Sequence, residues 1–320
     1  MRKKNLNQWK SGIYTNVVNR LNKKSDYIMD RYQQAIAASK VTTDDTFVKT
    51  EVEKILEKAP DNANPEVYRF LLGSIDLTTL STEDSELSVG KFTRRVNDFE
   101  AEYPQYPHVA AICVYSNFAE VVKTNLDVEG VDVCVVAGCF PSSQTFTAVK
   151  VADVALAREG GADEIDVVLN IGMFNDENYE DMCDELIELK HTAKHAKLKV
   201  IIESGCLKTA ERIRNASVLA LHCDCDFIKT STGKIYQGAS LEAAYVMCCC
   251  IKEYYEQTGR RVGFKAAGGV RSTQDAVNYY TVVKEVLGEE WLNTDLFRLG
   301  ASSLANNVLS SLEGKEVKFF

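Results

Sequence analysis

Short apolar segments alternate with amphipathic segments along most of the chain. Eight segments are rich in valine and isoleucine and mostly lack the strict apolar–polar alternation of a half-exposed strand, which is typical of strands buried on both faces. They are 70–76, 109–115, 131–137, 164–170, 198–204, 226–231, 262–267 and 296–300. Between them the apolar residues recur at helical spacing. The pattern therefore predicts eight buried strands separated by helices.

Four of the intervening segments carry an apolar stripe that we expect to face the core. Each stripe follows the three-to-four-residue spacing of one helix face. The stripes are Val149, Ala152 and Leu156; Met182, Leu186 and Leu189; Leu241, Ala244, Cys248, Ile251 and Tyr255; and Ala276, Tyr280, Val283 and Leu287.

The spacing of the apolar segments indicates the fold class. Successive segments lie about 23 to 37 residues apart, close to the length of one strand-plus-helix unit. Eight such units predict an α/β fold in which the strands close into a parallel (β/α)8 barrel. An open doubly wound sheet is the alternative. That sheet would carry a glycine fingerprint after the first strand, and residues 75–81 contain no glycine.

The N-terminal part of the chain differs from the rest. Two helical stretches, about 14–38 and 44–58, precede a turn-rich segment at 61–66. We therefore predict an N-terminal arm and helical extension over 1–65 and a single barrel domain over 66–320. The first 24 residues contain seven Lys or Arg and no acidic residue. They are not rich in Ser or Ala, which favours a solvated arm over a transit peptide.

Composition and charge narrow the function classes. The chain has 320 residues, with 37 Lys and Arg against 46 Asp and Glu, a net charge of −9. This balance argues against nucleic acid as a partner, because phosphate binding over a wide surface needs a basic face. No apolar run approaches the 18 residues of a membrane span, so no membrane association is expected. Both observations leave room for one small phosphate pocket.

The ten cysteines predict a reducing, cytoplasmic environment. They are too few in so long a chain for a disulfide scaffold, and buried reduced thiols are the simpler interpretation. His222, Cys223 and Cys225 lie close together but lack the C-x-x-C spacing of a zinc site. We therefore expect no bound metal.

Two lysines interrupt apolar strands at matching positions. Lys229 lies in FIKTSTGK and Lys265 in VGFKAAGG, one strand-plus-helix unit apart. They are expected on neighbouring strands at the same height, at the barrel end where active sites of this fold lie. Two ammonium groups about 4 Å apart repel by roughly 4 kcal/mol at an effective dielectric near 20. This favours the neutral form of one amine, which can attack a carbonyl and form a Schiff base.

Three carboxylates also stand at strand ends. Asp166 lies mid-strand in EIDVV and is predicted to transfer protons and to pair with a lysine. Asp76 follows the first apolar segment and is either a second site carboxylate or a cap for the next turn. Glu203 is expected to form a salt bridge with the lysine cluster rather than to act in catalysis.

Glycine- and hydroxyl-rich turns follow the last three strands, at 231–234, 267–272 and 300–303. Gly268 and Gly269 allow backbone N–H groups to approach an anion closely. Arg271 offers a charge, and Ser302 and Ser303 offer donors at a helix start. Barrels of this kind often bind phosphate after their last two strands. The residues alone thus indicate a Schiff-base enzyme acting on a phosphorylated carbonyl compound.

Taken together, the motifs resemble the deoxyribose-phosphate aldolase family, and most closely its animal-type members. The resemblance runs in order from about Leu71 to Leu304 and rests on IDLTTL, AAICVY, GADEIDVVLN, DFIKTSTGK, GFKAAGGVRS and FRLGASSL. It implies a barrel enzyme that reversibly cleaves 2-deoxy-D-ribose 5-phosphate to glyceraldehyde 3-phosphate and acetaldehyde, in deoxynucleoside catabolism. It also implies that neither a metal nor an organic cofactor is used.

The resemblance assigns roles by motif. Lys229 is implied as the Schiff-base nucleophile, Lys265 as the residue that perturbs it and assists proton transfer, and Asp166 as part of the proton relay. The implied phosphate-binding residues are Gly233, Gly268, Gly269, Arg271, Gly300, Ser302 and Ser303, with Lys234 near the same end. Asp76, Thr78 and Cys113 are implied to line the substrate cleft.

The sequence departs from the family pattern at three places. Ala266 stands where the family usually has Pro, and Cys206 stands where many members have Glu. Residues 318–320 end in Phe-Phe without the terminal Tyr of many bacterial members, which puts the last proton transfer in question.

The alternative functions are another Schiff-base aldolase, a transaldolase, or a barrel that binds sugar phosphate without turnover. Association of identical copies is left open.

Overall fold

Eight parallel strands close into a barrel. The computed structural model describes residues 29–320 of the chain. The strands are β1 Ile75–Thr78, β2 Ala111–Tyr115, β3 Asp132–Ala137, β4 Glu164–Val168, β5 Lys197–Ile201, β6 Phe227–Lys229, β7 Gly263–Ala267 and β8 Phe297–Ala301. Each strand pairs with its sequence neighbours, and β8 pairs with β1, so the sheet has no free edge. The predicted α/β fold with a (β/α)8 barrel is confirmed.

Helices cover the outside of the barrel and connect successive strands. They are α1 Arg31–Ala38, α2 Asp45–Leu56, α3 Pro65–Gly73, α4 Glu86–Asn97, α5 Phe99–Glu102, α6 Ala119–Asn125, α7 Thr147–Glu159, α8 Ile171–Asn175, α9 Tyr179–Ala193, α10 Ser204–Leu207, α11 Ala210–Leu221, α12 Leu241–Thr258, α13 Thr273–Leu287 and α14 Leu304–Glu313. Short 3₁₀ turns occupy 59–62, 116–118 and 289–291. Within residues 29–320, none of these helices has the length and apolar character needed to cross a membrane.

The first apolar segment is mostly helix, not strand. The prediction placed a strand over 70–76, but α3 continues to Gly73 and β1 begins at Ile75. The Asn64 side chain accepts a hydrogen bond from the Val67 amide, and Pro65 occupies the first helical turn, so the helix has a well-formed start. A continuous apolar run fits a buried helix end as well as a buried strand, which is why the pattern misplaced this boundary.

Within residues 29–320, three helices precede β1, and the first two, α1 and α2, pack on the outside of the barrel. α1 begins after the capping residue Asp30, and α2 begins after the capping residue Asp44. α2 packs against α12 and α13, and Glu253 on α12 accepts hydrogen bonds from Ser39 and Lys40. Residues 14–28 of the first predicted helix, and the basic arm over 1–24, lie outside the described residues. The division of the chain at residue 65 stays a prediction.

The apolar stripe predicted for α7 is wrong, whereas the other three face the core, with Leu241 and Tyr255 partly buried. Val149 is 52% exposed and Leu156 is 67% exposed, while Val154 is fully buried. The helix is turned because Lys150 points inward, where its Nζ contacts Glu185 Oε1 of α9 at 2.5 Å. A buried ammonium group must keep its ion pair, so this contact fixes which face of α7 meets the barrel.

Candidate functional site

The two predicted lysines meet one carboxylate inside the barrel. Lys229 on β6 and Lys265 on β7 are directly opposite each other in the sheet register. Both Nζ atoms contact Oδ2 of Asp166 on β4, at 2.7 Å and 2.8 Å. Asp166 and Lys265 are completely buried, and Lys229 is 4% exposed. The fold thus brings together the three residues for which catalytic roles were predicted.

Further buried charges surround this trio. Asp76 contacts Lys265 through Oδ2, and its Oδ1 lies 2.8 Å from Arg298. Lys199 on β5 lies 3.3 Å from Asp166 Oδ1 and also contacts Glu164. Arg298 closes the network with a 2.9 Å contact to Glu164. Asp76 is therefore a member of the charge network and not a cap for the next turn.

The network fixes the ionisation of its members. Burial alone would raise the pKa of Asp166, but Lys199, Lys229 and Lys265 hold it well below its usual range. Burial alone would lower the pKa of Lys265, but Asp166 and Asp76 hold it well above its usual range. Both groups are therefore charged at neutral pH.

The repulsion predicted from the two lysines is only part of the electrostatics. Asp166 lies between the two ammonium groups and offsets their repulsion. The seven buried groups of the network are four cations and three carboxylates, so full ionisation leaves one positive charge in excess. Lys197 and Asp132, partly exposed and of opposite charge, continue the network outward. Loss of one ammonium proton would balance the buried charges.

Glu164, Lys199 and Arg298 were missed by the sequence reasoning. Each is a charged residue within an apolar strand, the same signal that singled out Lys229 and Lys265. Applied to every strand, that signal would have found them. Their partners could not be read from the sequence. Arg298 on β8 reaches residues of β1 and β4, and the contacts of Lys199 with Glu164 and Asp166 depend on the register of β4 and β5.

Glu203 does not join the lysine cluster, contrary to the prediction. Its Oε1 accepts a hydrogen bond from the Thr232 amide at 3.1 Å, and its Oε2 accepts one from the Thr232 hydroxyl at 2.6 Å. A left-handed backbone at Glu203, with φ of 54°, turns the chain away just after β5 ends. The carboxylate therefore fixes the loop after β6 instead of contacting a lysine.

A cavity of about 270 Å³ opens above the trio at the carboxyl ends of the strands. Ten of the predicted site residues line it: Thr78, Lys229, Gly233, Lys234, Gly268, Gly269, Arg271, Gly300, Ser302 and Ser303. The other four, Asp76, Cys113, Asp166 and Lys265, are buried within the barrel. Cys113 lies in register with Thr78 and therefore directly beside the cavity wall.

One end of the cavity has the features of an anion site. Gly233, Gly268 and Gly269 have positive φ angles of 72°, 80° and 87°, which suit glycine alone. The start of α14 carries no side-chain cap, so its first amide groups are not satisfied by a side chain of its own first turn. The start of α13 differs, because Ser272 caps it. An anion in this cavity is therefore expected at the start of α14.

The loops after β6 and β7, beside the cavity, contact each other through their backbones. A Cβ atom on Gly238 would lie 2.0 Å from the Gly268 carbonyl oxygen, so only glycine fits there. The Ala239 amide donates hydrogen bonds to the Ala267 and Gly268 carbonyl oxygens. Gly238 is a further residue that the sequence reasoning missed, because the approach joins loops from different strands.

Among residues 29–320, two groups of side chains have the spacing of metal ligands: Cys113, Cys134 and Asp166, and Asp76, Cys134 and Glu164. Their carboxylates already pair with the ammonium groups of Lys199, Lys229 and Lys265. A divalent cation there would meet three positive charges at close range. These ligands therefore suit lysine chemistry better than a metal.

The final aromatic residues pack away from the cavity. The Phe319 and Phe320 amides both donate to Asn306 Oδ1, and both rings pack on Phe99. None of these four residues lines the cavity. The sequence also departs from the family pattern at Ala266, which is buried in the core, and at Cys206, which lies just after β5.

Comparison with known proteins agrees with this geometry. Residues 70–287 match the family described as DeoC/LacD family aldolase. A Caenorhabditis elegans protein described as a putative deoxyribose-phosphate aldolase is 38% identical over 84% of this chain and 89% of its own. Human deoxyribose-phosphate aldolase is 36% identical over 73% of this chain and 77% of its own.

A solved structure agrees as well. The deoxyribose phosphate aldolase from Aeropyrum pernix, described as tetrameric, superposes with a TM-score of 0.62 at 25% identity, covering 81% of this chain and 97% of its own. The match of the family model extends over more than half of the chain and includes the strands that carry the trio. The chain therefore belongs to the DeoC/LacD aldolase family, among the deoxyribose-phosphate aldolases.

Proposed function

We propose that this chain reversibly cleaves 2-deoxy-D-ribose 5-phosphate to D-glyceraldehyde 3-phosphate and acetaldehyde through a Schiff base on Lys229. One observation carries the proposal: a buried lysine pair shares Asp166 at the floor of a cavity whose other end suits an anion. The family membership supplies the class of substrate. The geometry supplies the residues that would act on it.

Lys229 is the best candidate for the nucleophile among the three lysines of the buried network around Asp166. Lys199 and Lys265 are completely buried, whereas Lys229 lines the cavity. Because the network carries one excess cation, release of a proton from Lys229 would leave it electrically balanced. The neutral amine would then attack the substrate aldehyde, and loss of water would give the iminium ion.

Asp166 and Lys265 are proposed as the proton relay. In cleavage the substrate's C3 hydroxyl must lose a proton while the C2–C3 bond breaks, and the enamine left on Lys229 must later gain a proton at C2. Asp166 is charged and contacts Lys229, so it can accept the first proton directly or through water. Asp166 can then pass this proton to C2 of the enamine, and Lys265, which is charged and contacts the same oxygen, stabilises the carboxylate that results.

The phosphate group is proposed to bind at the start of α14. Ser302 and Ser303 precede this helix, and Arg271 and the three positive-φ glycines line the same wall. Backbone N–H groups and a helix start suit a phosphate, and the nearby guanidinium adds charge. The phosphate would then fix the sugar so that its aldehyde reaches Lys229.

Borohydride trapping tests the proposal directly. The protein is incubated with acetaldehyde or with 2-deoxyribose 5-phosphate, reduced with borohydride, and mapped by mass spectrometry. We expect the added mass on Lys229 and its loss in Lys229→Met. Lys49→Met is a matched control, because Lys49 is exposed on α2 outside the cavity, and it should be labelled at Lys229 like the parent protein.

Two results would contradict the proposal. A trapped adduct on a residue other than Lys229 would remove the assigned nucleophile. Turnover of other phosphorylated sugars without cleavage of 2-deoxyribose 5-phosphate would favour a transaldolase or a different aldolase. Binding of the sugar phosphate without turnover would favour a non-catalytic barrel.

The cellular setting is also a proposal. All ten cysteines lie within the described residues and none forms a disulfide, which supports a reducing cytoplasmic location. We take the sugar phosphate as the partner supported by the cavity. Association of identical copies stays a prediction that sedimentation would test.

A further inference from the structure

Two cysteine thiols stand beside the proposed catalytic carboxylate. Cys113 on β2 and Cys134 on β3 are directly opposite each other in the barrel register. Their sulfur atoms and a carboxylate oxygen of Asp166 all lie within 4.8 Å of one another. Both side chains are buried in one small cluster inside the barrel with Ala111 and Val136. The two thiols therefore face each other next to Asp166.

This placement suits a disulfide bond. Neighbouring strands lie about 4.8 Å apart, and the Cα atoms of disulfide-bonded cysteines lie about 4.4–6.8 Å apart. The two sulfur atoms, within 4.8 Å of each other, would need to close to about 2.05 Å through rotation of both side chains. We propose that a peroxide converts Cys113 and Cys134 to a reversible disulfide that switches the aldolase off.

The environment gives the two thiols different roles. The neighbouring Cys134 side chain, with the charges of Lys265 and Lys229, lowers the pKa of Cys113. Burial raises the pKa of Cys134, and the neighbouring Cys113 raises it further. Cys113 is thus the thiol that reacts first, because the thiolate is the nucleophile. Cys134 is the thiol that completes the disulfide.

The chemistry balances with one equivalent of hydrogen peroxide. The Cys113 thiolate attacks one peroxide oxygen, an S–O bond forms, the O–O bond breaks, and hydroxide leaves and takes a proton to become water. The Cys134 sulfur then attacks the sulfenic sulfur, the S–S bond forms and the S–O bond breaks. A second water leaves with the Cys134 proton. Two thiols are oxidised by two electrons in total, and the peroxide is reduced to two waters.

A small oxidant has a short route to the pair. Cys113 lies in register with Thr78, and Thr78 lines the cavity above Lys229. A peroxide molecule is little larger than water, whereas a bulky alkylating agent would have to displace the wall. Bound sugar phosphate would cover the route. Substrate is therefore expected to slow the oxidation.

The disulfide would disturb the relay proposed above, on which this inference rests. Cys134 Sγ donates to Asp166 Oδ1 at 3.4 Å and accepts a hydrogen bond from Lys199 Nζ at 3.4 Å. Oxidation removes the S–H donor and draws the sulfur toward Cys113. Oδ1 of Asp166 would lose its hydrogen bond from Cys134, while Oδ2 would still contact Lys229 and Lys265.

Peptide mapping after oxidation tests the inference. The reduced protein is treated with hydrogen peroxide, remaining thiols are blocked after denaturation, and trypsin cuts at Lys123 between the two cysteines. We expect a disulfide-linked pair of peptides containing Cys113 and Cys134, with at least a tenfold loss of activity that dithiothreitol restores. Fragment spectra distinguish Cys134 from Cys139 on the same peptide.

Two variants separate the pair from other thiols, each compared with its own untreated activity. Cys134→Ser should give no linked peptide, because oxidation then stops at the Cys113 sulfenic acid. Cys139→Ser should behave like the parent protein, because Cys139 is a partly exposed thiol five residues further along. A Cys113–Cys139 disulfide in the inactivated parent protein would overturn the inference. So would free, alkylatable Cys113 and Cys134 in the inactivated parent protein. The linked peptide decides the matter even if the untreated protein shows no aldolase activity.

Discussion

Asp166 is the residue through which most contacts of the site pass. One carboxylate oxygen contacts both Lys229 and Lys265, and the other contacts Lys199 and Cys134. A single side chain therefore positions the proposed nucleophile and connects it to the rest of the buried network. Removing its charge should affect catalysis more than any change at the cavity rim.

Asp166→Asn is expected to lower kcat about 10²- to 10⁴-fold, the usual contribution of a general acid–base group. The amide keeps the size of the side chain but cannot accept the C3 proton. Steady-state kinetics with 2-deoxyribose 5-phosphate measures the effect. Asp163→Asn is the matched control, since Asp163 precedes the same strand, is partly exposed and binds the Val133 amide. A kcat for Asp166→Asn within about threefold of the parent would contradict the proposed relay.

At the scale of elements, the cavity depends on loops that touch backbone to backbone. Gly238 in the loop after β6 packs against the Gly268 carbonyl in the loop after β7. Hydrogen bonds from Ala239 hold the same two loops together. The phosphate-binding wall is thus shaped by the fit between two connections rather than by either one alone.

Gly238→Ala is expected to raise KM for the sugar phosphate about tenfold, which corresponds to about 1.4 kcal/mol of lost binding. The added Cβ would meet the Gly268 carbonyl oxygen at 2.0 Å and must push the loop away. Kinetics at saturating and limiting substrate separate KM from kcat. Gly90→Ala is the control, because its Cβ would meet only side-chain atoms of Arg94 and Asn125, at 3.3 Å or more. An unchanged KM in Gly238→Ala would show that the wall tolerates the displacement.

The orientation of α7 predicts which of its side chains contribute to the free energy of unfolding. Val154→Ala is expected to cost about 2 kcal/mol of unfolding free energy, because Val154 is fully buried. Leu156→Ala, on the face that the sequence pattern assigned to the core, is expected to change it by no more than about 0.5 kcal/mol. Urea unfolding of the two variants compares them directly. A larger loss for Leu156→Ala would restore the original assignment of the faces.

At the scale of the whole molecule, charge is distributed unevenly. The chain carries a net charge of −9, whereas the barrel interior holds one more cation than carboxylates. The acidic residues are therefore mostly on the outside, and an anionic substrate meets a positive centre only once it enters the cavity. Because the interior groups are ionisable, the free energy of unfolding also depends on pH.

The free energy of unfolding should fall steeply as pH drops below about 4. The pKa values of Asp76, Glu164 and Asp166 are lowered in the fold, so their contribution is complete above the ordinary carboxylate pKa of about 4 and is lost below it. The pKa of Lys265 is raised, so its contribution is lost only at pH well above 10. Urea unfolding at a series of pH values measures the profile.

Glu164→Gln tests that profile. It should cost about 3–5 kcal/mol at neutral pH, because Lys199 and Arg298 lose a buried partner. It should also flatten the fall below pH 4, since one linked carboxylate is gone. Glu83→Gln, at an exposed residue, is the control and should leave both values near those of the parent. An equally steep acid limb in Glu164→Gln would assign the pH dependence to other carboxylates.

The sequence by itself determined the fold class and the residues that would carry the chemistry. Strand-plus-helix spacing implies a closed parallel barrel, and a lysine within an apolar strand is so costly to bury that it signals a partner or a function. The spacing of one unit between Lys229 and Lys265 was enough to place them side by side. These inferences depend only on local pattern and on the repeat length.

Only the tertiary structure decided which groups meet across the barrel. Asp166 on β4 meets Lys229 on β6 and Lys265 on β7 inside the barrel, and Arg298 on β8 meets Asp76 on β1 because the sheet closes. The Lys199–Asp166 and Cys113–Cys134 contacts join neighbouring strands and depend on their register. The face of α7 was decided by the buried contact of Lys150 with Glu185, which outweighed an apolar stripe. Local pattern cannot encode such contacts, because their energy depends on the chemistry of residues that only folding brings together.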